Sequence, residues 1–215
     1  MIAGDDILLE NCIIDNLKYA WNNWDIQLFY SEAIKIDEKG ERLPNITKYY
    51  TSDFPALRDY FFRLSQQEQL IFFARNPIFL ISPSFFLSRE LLINTGGFDE
   101  KLRLFEDIPY ILKCLRVGHR IGYFSTETVC YRIHSQSISK KKDKKKSLLI
   151  LKELEYIYIT YRKDLLQSLN FLNLGAKYEA WLTFKYANQY NGKGARYLKL
   201  LSPLYYYQLY VKKMG

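Results

Sequence analysis

The chain has 215 residues, of which 48% are hydrophobic and 25% charged, and its net charge is +8. That balance excludes disordered, collagen-like and fibrous classes and predicts one domain, or one with an appendage. Aromatic residues make up 17% (19 Tyr, 14 Phe, 3 Trp), a basic and Tyr-rich chemistry that suits nucleic acid, sugars or a membrane surface.

In chain order, the opening MIAGDD is a short apolar run that meets two carboxylates, and it predicts the end of a buried strand. It carries acids where a signal peptide has a basic stretch, so no leader is expected. Ile13, Ile14, Leu17, Ala20 and Trp21 recur at helical spacing and predict a helix over Leu9–Trp21. Ile26–Ile36 is rich in β-branched and aromatic residues, a strand signal, and Asp37-Glu38-Lys39-Gly40 is its turn. Helices are predicted over Asp53–Leu64 and Gln66–Arg75, then a short extended piece between Pro77 and Pro83, then a turn or two of helix over Arg89–Asn94 before Gly96-Gly97. Asp107 opens the best-signalled helix: Ile108, Ile111, Leu112 and Leu115 form its stripe, Asp107 caps, Pro109 fits the first turn and Gly118 ends it. Arg120–Phe124 and Thr128–Ile133 read as two short strands.

Beyond Ser137 the composition changes. Ser139–Ser147 holds six lysines and one aspartate, the bulk of the net charge, and reads as a solvated linker or helix start. Helical patterns follow over Leu148–Leu172, Tyr178–Tyr190 and Ala195–Lys213. The expected division is a mixed α/β part (1–137), a Lys-rich linker (138–147) and a helical tail (148–215). The longest uncharged stretch, Asn76–Ser88, is 13 residues with two prolines, too short for a spanning helix of about 20. Cys12, Cys114 and Cys130 are widely spaced and predict reduced, mostly buried thiols in a cytoplasmic protein.

Three groups carry chemistry. Asp5-Asp6 offers hard oxygen ligands for Mg²⁺ or Mn²⁺, or an acidic N-terminal flank for the next helix. Gly96-Gly97-Phe98-Asp99 followed by Glu106-Asp107 joins a permissive backbone to a carboxylate at a helix start, a position suited to a general base or to a plain turn and cap. Tyr131-Arg132-Ile133-His134 alternates a polar face (Arg132, His134) with a packed one, as a phosphate-binding edge or an ordinary edge strand does.

Taken together and in this order, Ile2-Ala3-Gly4-Asp5-Asp6, the segment SEAIKIDEKG over 31–40, Pro83-Ser84-Phe85-Phe86 with Arg89, Gly96–Glu100, Glu106-Asp107 and Tyr131-Arg132-x-His134-x-x-Ser137 strongly resemble the family 2 glycosyltransferases of the GT-A fold. The resemblance covers roughly residues 1–140. It implies a partial GT-A (Rossmann-like) α/β domain followed by an α-helical C-terminal tail. It implies inverting transfer from a nucleotide-diphosphate-sugar to a glycan or lipid-linked acceptor in surface-glycan synthesis, with a divalent cation (Mn²⁺ or Mg²⁺) as cofactor. By position, Asp5 and Asp6 match the donor and metal aspartates, although Ala3 stands where many members carry a further one. Arg132 and His134 match the segment that closes over the diphosphate, and His134 joins the metal in some relatives. Gly96, Gly97, Phe98 and Asp99 match the acceptor-side loop, Asp107 the catalytic base and Glu106 its neighbour. Phe85, Phe98 and Tyr131 are placed to flank a sugar ring.

A full domain of this kind carries roughly 60–90 further residues of βα units before the Asp5-Asp6 strand. Bare sheet edges, exposed core and weak or absent activity of this chain are therefore expected. The C-terminal stretch Tyr197–Lys213, rich in Leu, Tyr and Lys, suits peripheral docking on the inner face of the plasma membrane. The competing readings are a non-catalytic remnant acting as scaffold, and a nucleic-acid-binding module. No binding motif supports the latter, so nucleic acid is not an expected partner.

Overall fold

The computed structural model describes residues 4–43, 55–75, 81–133 and 144–168. The expected elements Tyr178–Tyr190 and Ala195–Lys213, and His134 and Ser137, lie outside these residues.

The architecture is mixed α/β, compatible with an α/β glycosyltransferase domain. Among the described residues, four strands form one sheet in the order β1-β4-β2-β3. They are β1 (Ile7–Leu8), β2 (Leu28–Ile36), β3 (Phe85–Leu87) and β4 (Ile121–Arg132). β2 pairs parallel with β4 and antiparallel with β3, and β4 pairs antiparallel with β1. Nearly every β2 residue is buried, as expected of a central strand covered on both faces. Two expected strands, 120–124 and 128–133, are one continuous strand. Their polar joint, Ser125-Thr126-Glu127, is accommodated by register shifts against Tyr30, Glu32 and Ala33 instead of by a turn.

The helices are α1 (Cys12–Asn22), α2 (Pro55–Arg63), α3 (Gln66–Arg75), α4 (Arg89–Asn94), α5 (Asp107–Arg116), α6 (Lys144–Ile157) and α7 (Lys163–Ser168), with a π turn over Tyr158–Arg162. The last part of the lysine run, 144–147, is the first turn of α6. α3 starts on a capping box: the Ser65 N–H and hydroxyl both donate to Glu68 Oε2, at 2.9 and 2.7 Å. α4 is capped by the Ser88 hydroxyl, which accepts the Leu91 N–H at 3.0 Å.

The apolar stripe that marks α1 in the sequence faces outward: Ile13, Ile14 and Leu17 are each more than half exposed and Trp21 is 86% exposed. Cys12 and Asn16 are buried instead, and the Tyr19 ring lies 4.6 and 4.7 Å from those of Phe29 and Phe124. Ile7 and Leu8 of the edge strand β1 are also exposed. Asp5-Asp6 therefore precedes a short exposed strand, where the sequence suggested the end of a buried one.

By contact the described residues divide into two compact units: 4–43, 55–73, 81–99 and 110–133 belong to one, and 74–75, 100–109 and 144–168 to the other. In the first, Gly122 is forced by close packing, since a Cβ there would sit 2.7 Å from Ile26 Cγ2 and 3.1 Å from Phe29 Cβ. Cys114 is fully buried, and burial pushes its thiol up to about 12; Cys12 is buried and Cys130 half-buried. In the second unit, Arg162 is 1% exposed, and its Nε donates to the Ala74 carbonyl at 2.8 Å. No described helix is long and apolar enough to cross a membrane.

Candidate functional site

The first unit brings together three of the donor-side residues. The Gly4-Asp5 turn leads into β1, which pairs with the end of β4, so Asp5-Asp6 meets Arg132. Asp6 Oδ1 accepts the Arg132 backbone N–H at 2.9 Å, and Arg132 Nε donates to the Asp5 carbonyl at 2.9 Å. Arg132 Nη1 donates to the carbonyls of Asp37 and Glu38, at 2.9 and 3.1 Å.

Those carbonyls are presented by the turn after β2. Asp37 Oδ1 accepts the N–H groups of Lys39 and Glu41, and Gly40 adopts φ +90°, which favours glycine. The guanidinium is thus fixed by three backbone oxygens. Its Nη2 donors are not engaged among the described residues.

Among the described residues no group of three His, Cys, Asp or Glu is placed to hold a metal. Asp5 and Asp6 do supply the hard carboxylate oxygens that Mg²⁺ or Mn²⁺ takes, in the kind of site where one or two carboxylates are completed by substrate phosphates.

The glycine pair has a structural role. Gly96 and Gly97 take φ +70° and +66°, and their N–H groups cap the end of α4 on the carbonyls of Ile93 and Leu92. Lys113 Nζ donates to the Gly97 carbonyl at 2.9 Å. Phe98 stacks on Tyr110 with ring centroids 4.4 Å apart, and Phe85 lies against both. These two rings, expected beside a sugar, are packed against the buried Tyr110. Asp99 is half-buried.

Glu106 and Asp107 belong to the second unit and are both half-buried. Asp107 is the first residue of α5, and its Oδ1 accepts the Ile108 N–H at 2.9 Å. Its carboxylate therefore lies at a helix N-terminus, where negative charge is stabilised.

Sequence reasoning did not find a polar cluster in the first unit. Glu32 forms an ion pair with Arg58 and accepts the Tyr123 hydroxyl at 2.6 Å. The Arg58 guanidinium sits 4.6 Å over the Tyr123 ring, which also stacks on Phe62. Burial and then Glu32 push the Tyr123 hydroxyl well up. Burial opposes the charge on Arg58, but Glu32, Tyr123 and Asp59 together outweigh it and the guanidinium is held more firmly protonated. With Tyr30, Ser31 and Ser84 these groups line a pocket. The three polar residues come from segments 26 and 91 positions apart, and no local motif marks them.

No protein-family model matches the chain. The chain is 26% identical over 151 residues to an uncharacterized glycosyltransferase of Methanocaldococcus jannaschii, a match covering 69% of this chain and 46% of that protein. It thus spans about half the length of the curated relative it matches. The similarity supports a glycosyltransferase relationship.

Proposed function

We propose that the chain serves inverting sugar transfer from a nucleotide-diphosphate-sugar to a hydroxyl of a glycan or lipid-linked acceptor, with the GT-A fold and family 2 membership that its motif order resembles. The observation that carries this reading is the meeting of Asp5, Asp6 and Arg132, in a chain similar to a glycosyltransferase.

In this reading Asp5 and Asp6 would hold Mn²⁺ or Mg²⁺ together with the donor diphosphate, with His134 as a further ligand. The cation, when bound, neutralises charge on the leaving diphosphate. Arg132 is preorganised by its three carbonyl partners, so its Nη2 edge meets a phosphate oxygen without reordering the side chain. Asp107 takes the proton as the acceptor oxygen attacks the anomeric carbon from the face opposite the diphosphate. Glu106 flanks it, and Gly96–Asp99 line the acceptor side.

The setting is a surface-glycan pathway at the inner face of the plasma membrane, with the Lys- and Tyr-rich C-terminal stretch as the docking element. The exposed apolar residues of α1 and β1 favour transfer at full rate only when a further polypeptide segment covers them. The same surface favours, as second reading, a non-catalytic scaffold.

The test measures nucleoside-diphosphate release from a panel of nucleotide-sugars, with and without Mn²⁺, alongside donor binding by equilibrium dialysis. The expected result is Mn²⁺-dependent binding and slow transfer, with transfer lost and binding kept in Asp107→Asn. Equal turnover in Asp107→Asn removes Asp107 as base. No binding of any donor overturns the enzyme reading in favour of the scaffold.

A further inference from the structure

Glu153 of α6 is 3% exposed, and its carboxylate faces backbone. Oε1 accepts the N–H of Arg103 and Oε2 that of Leu104, each at 3.0 Å. Its described partners are thus two consecutive amides, with no cation among them. Burying a carboxylate is costly unless its oxygens are satisfied, and a well-packed apolar residue is often as stable or more so. A carboxylate kept here in two charge-assisted hydrogen bonds defines the position of one peptide segment.

A second contact reaches that segment from the same helix face. Lys101 Nζ lies 5.5 Å from the centre of the Tyr156 ring, and Tyr156 is three residues after Glu153. Leu102, between the two anchors, is buried, as is Leu154.

The held segment leads directly to the acidic pair. Glu106 is two residues beyond the second anchored amide and Asp107 three. At about 3.8 Å per residue, their Cα atoms lie within about 8 and 11 Å of Leu104. All these residues belong to the second unit.

We propose that Glu153 is a positioning residue: through the amides of Arg103 and Leu104 it fixes the loop that presents Glu106 and Asp107. The catalytic half of the proposal rests on Asp107 as base; the structural half does not. The helix after the lysine run is then part of the machinery that orients the acidic pair.

The test compares the whole chain with Glu153→Ala and Glu153→Gln. Gln keeps the shape and one acceptor oxygen but turns an NH₂ toward the second amide. Amide hydrogen exchange is read by NMR at residues 103–107, with the β2 amides of Leu28, Phe29 and Tyr30 as the folding control. A hydrogen bond to a charged group corresponds to about a tenfold or larger change in the opening equilibrium.

The expected result is exchange raised at least about tenfold at Arg103 and Leu104 in Glu153→Ala, extending to Glu106 and Asp107. Glu153→Gln falls between, and the β2 amides stay unchanged. If the Ala variant loses β2 protection, the Gln variant decides. Transfer, where the wild-type chain shows it, falls in kcat with donor KM kept, and Glu153→Gln partly rescues it.

Unchanged exchange at 103–104 overturns the proposal, as does raised exchange confined to those two residues or an unchanged kcat. A wild-type chain that binds no donor refutes the enzyme reading, while the exchange pattern at 106–107 still decides the role of Glu153.

Discussion

Asp6 and Arg132 are 126 residues apart in sequence, and the Asp6 carboxylate accepts the Arg132 backbone N–H at 2.9 Å. The contact separates two roles of Asp6. Asp6→Ala leaves a half-buried N–H without its acceptor, at a cost of about 1–3 kcal/mol. Asp6→Asn keeps Oδ1 and is expected within about 0.5 kcal/mol of wild type. Both are expected to weaken Mn²⁺-dependent donor binding. Urea unfolding and a Mn²⁺ titration check the pair; equal Mn²⁺ response in wild type and Asp6→Asn removes Asp6 from the metal.

Gly122 is held by its neighbours. Replacing Gly by Ala restricts the unfolded chain and on that ground stabilises by about 0.4–1 kcal/mol where the backbone permits it. A Cβ 2.7 Å from Ile26 Cγ2 and 3.1 Å from Phe29 Cβ brings overpacking of about 1–3 kcal/mol. The second effect is the larger, so Gly122→Ala is expected to lower the thermal midpoint. A midpoint at or above that of wild type shows that the strand has room to shift.

The capping box sets a pH dependence. The hydroxyl and then the amide of Ser65 hold the Glu68 carboxyl below its ordinary 4.5. A depressed carboxyl contributes stability that is present above pH 4.5 and lost as pH falls from there through the lower folded value. Wild type is therefore expected to be more stable than Glu68→Gln at pH 7, and the difference to shrink below pH 4.5. Denaturant midpoints of both proteins across that range decide it; a constant difference removes the ionised box.

The outward face of α1 predicts an asymmetry between two kinds of large residue. Trp21→Ser changes an 86% exposed side chain and is expected within about 0.5 kcal/mol of wild type. Leu28→Ala empties a fully buried position and is expected to cost about 2–5 kcal/mol. The Leu17→Ser, Trp21→Ser double variant is also expected to bind less of a hydrophobic dye and to self-associate less by light scattering. A large stability loss in Trp21→Ser shows that something covers this face in solution.

The elements legible in the sequence were those with local punctuation. Asp107 with Pro109 at its start and Gly118 after Arg116 mark the ends of a helix that the structure keeps over Asp107–Arg116. Periodicity found α1 but not its buried side. The outward stripe is the more apolar one, while the inward face carries Asn16, whose Nδ2 donates to the Cys12 carbonyl at 2.7 Å. The polar joint in β4 looked like a turn, because exposure of Ser125 and Thr126 on a bulged strand leaves the same pattern as a loop.

Of the site residues, Asp5, Asp6 and Arg132 were found as separate fragments. Their meeting depends on the antiparallel pairing of β1 with β4, which no local signal sets. The Glu32–Arg58–Tyr123 cluster and Glu153 were invisible for the same reason: each is a common polar residue given meaning only by distant backbone.

The π turn at Tyr158–Arg162 resets the phase of its helix. In a straight helix Arg162 would lie about 140° round from Ile157, at about 100° per residue. One wide turn takes back about 100°. Arg162 and Leu166, both buried, are thereby returned toward the side of Glu153 and Ile157, which are also buried. The segment behaves as an α-helix with one inserted residue absorbed at a single point, so a reading frame of buried positions taken from its first half goes wrong by one residue in its second.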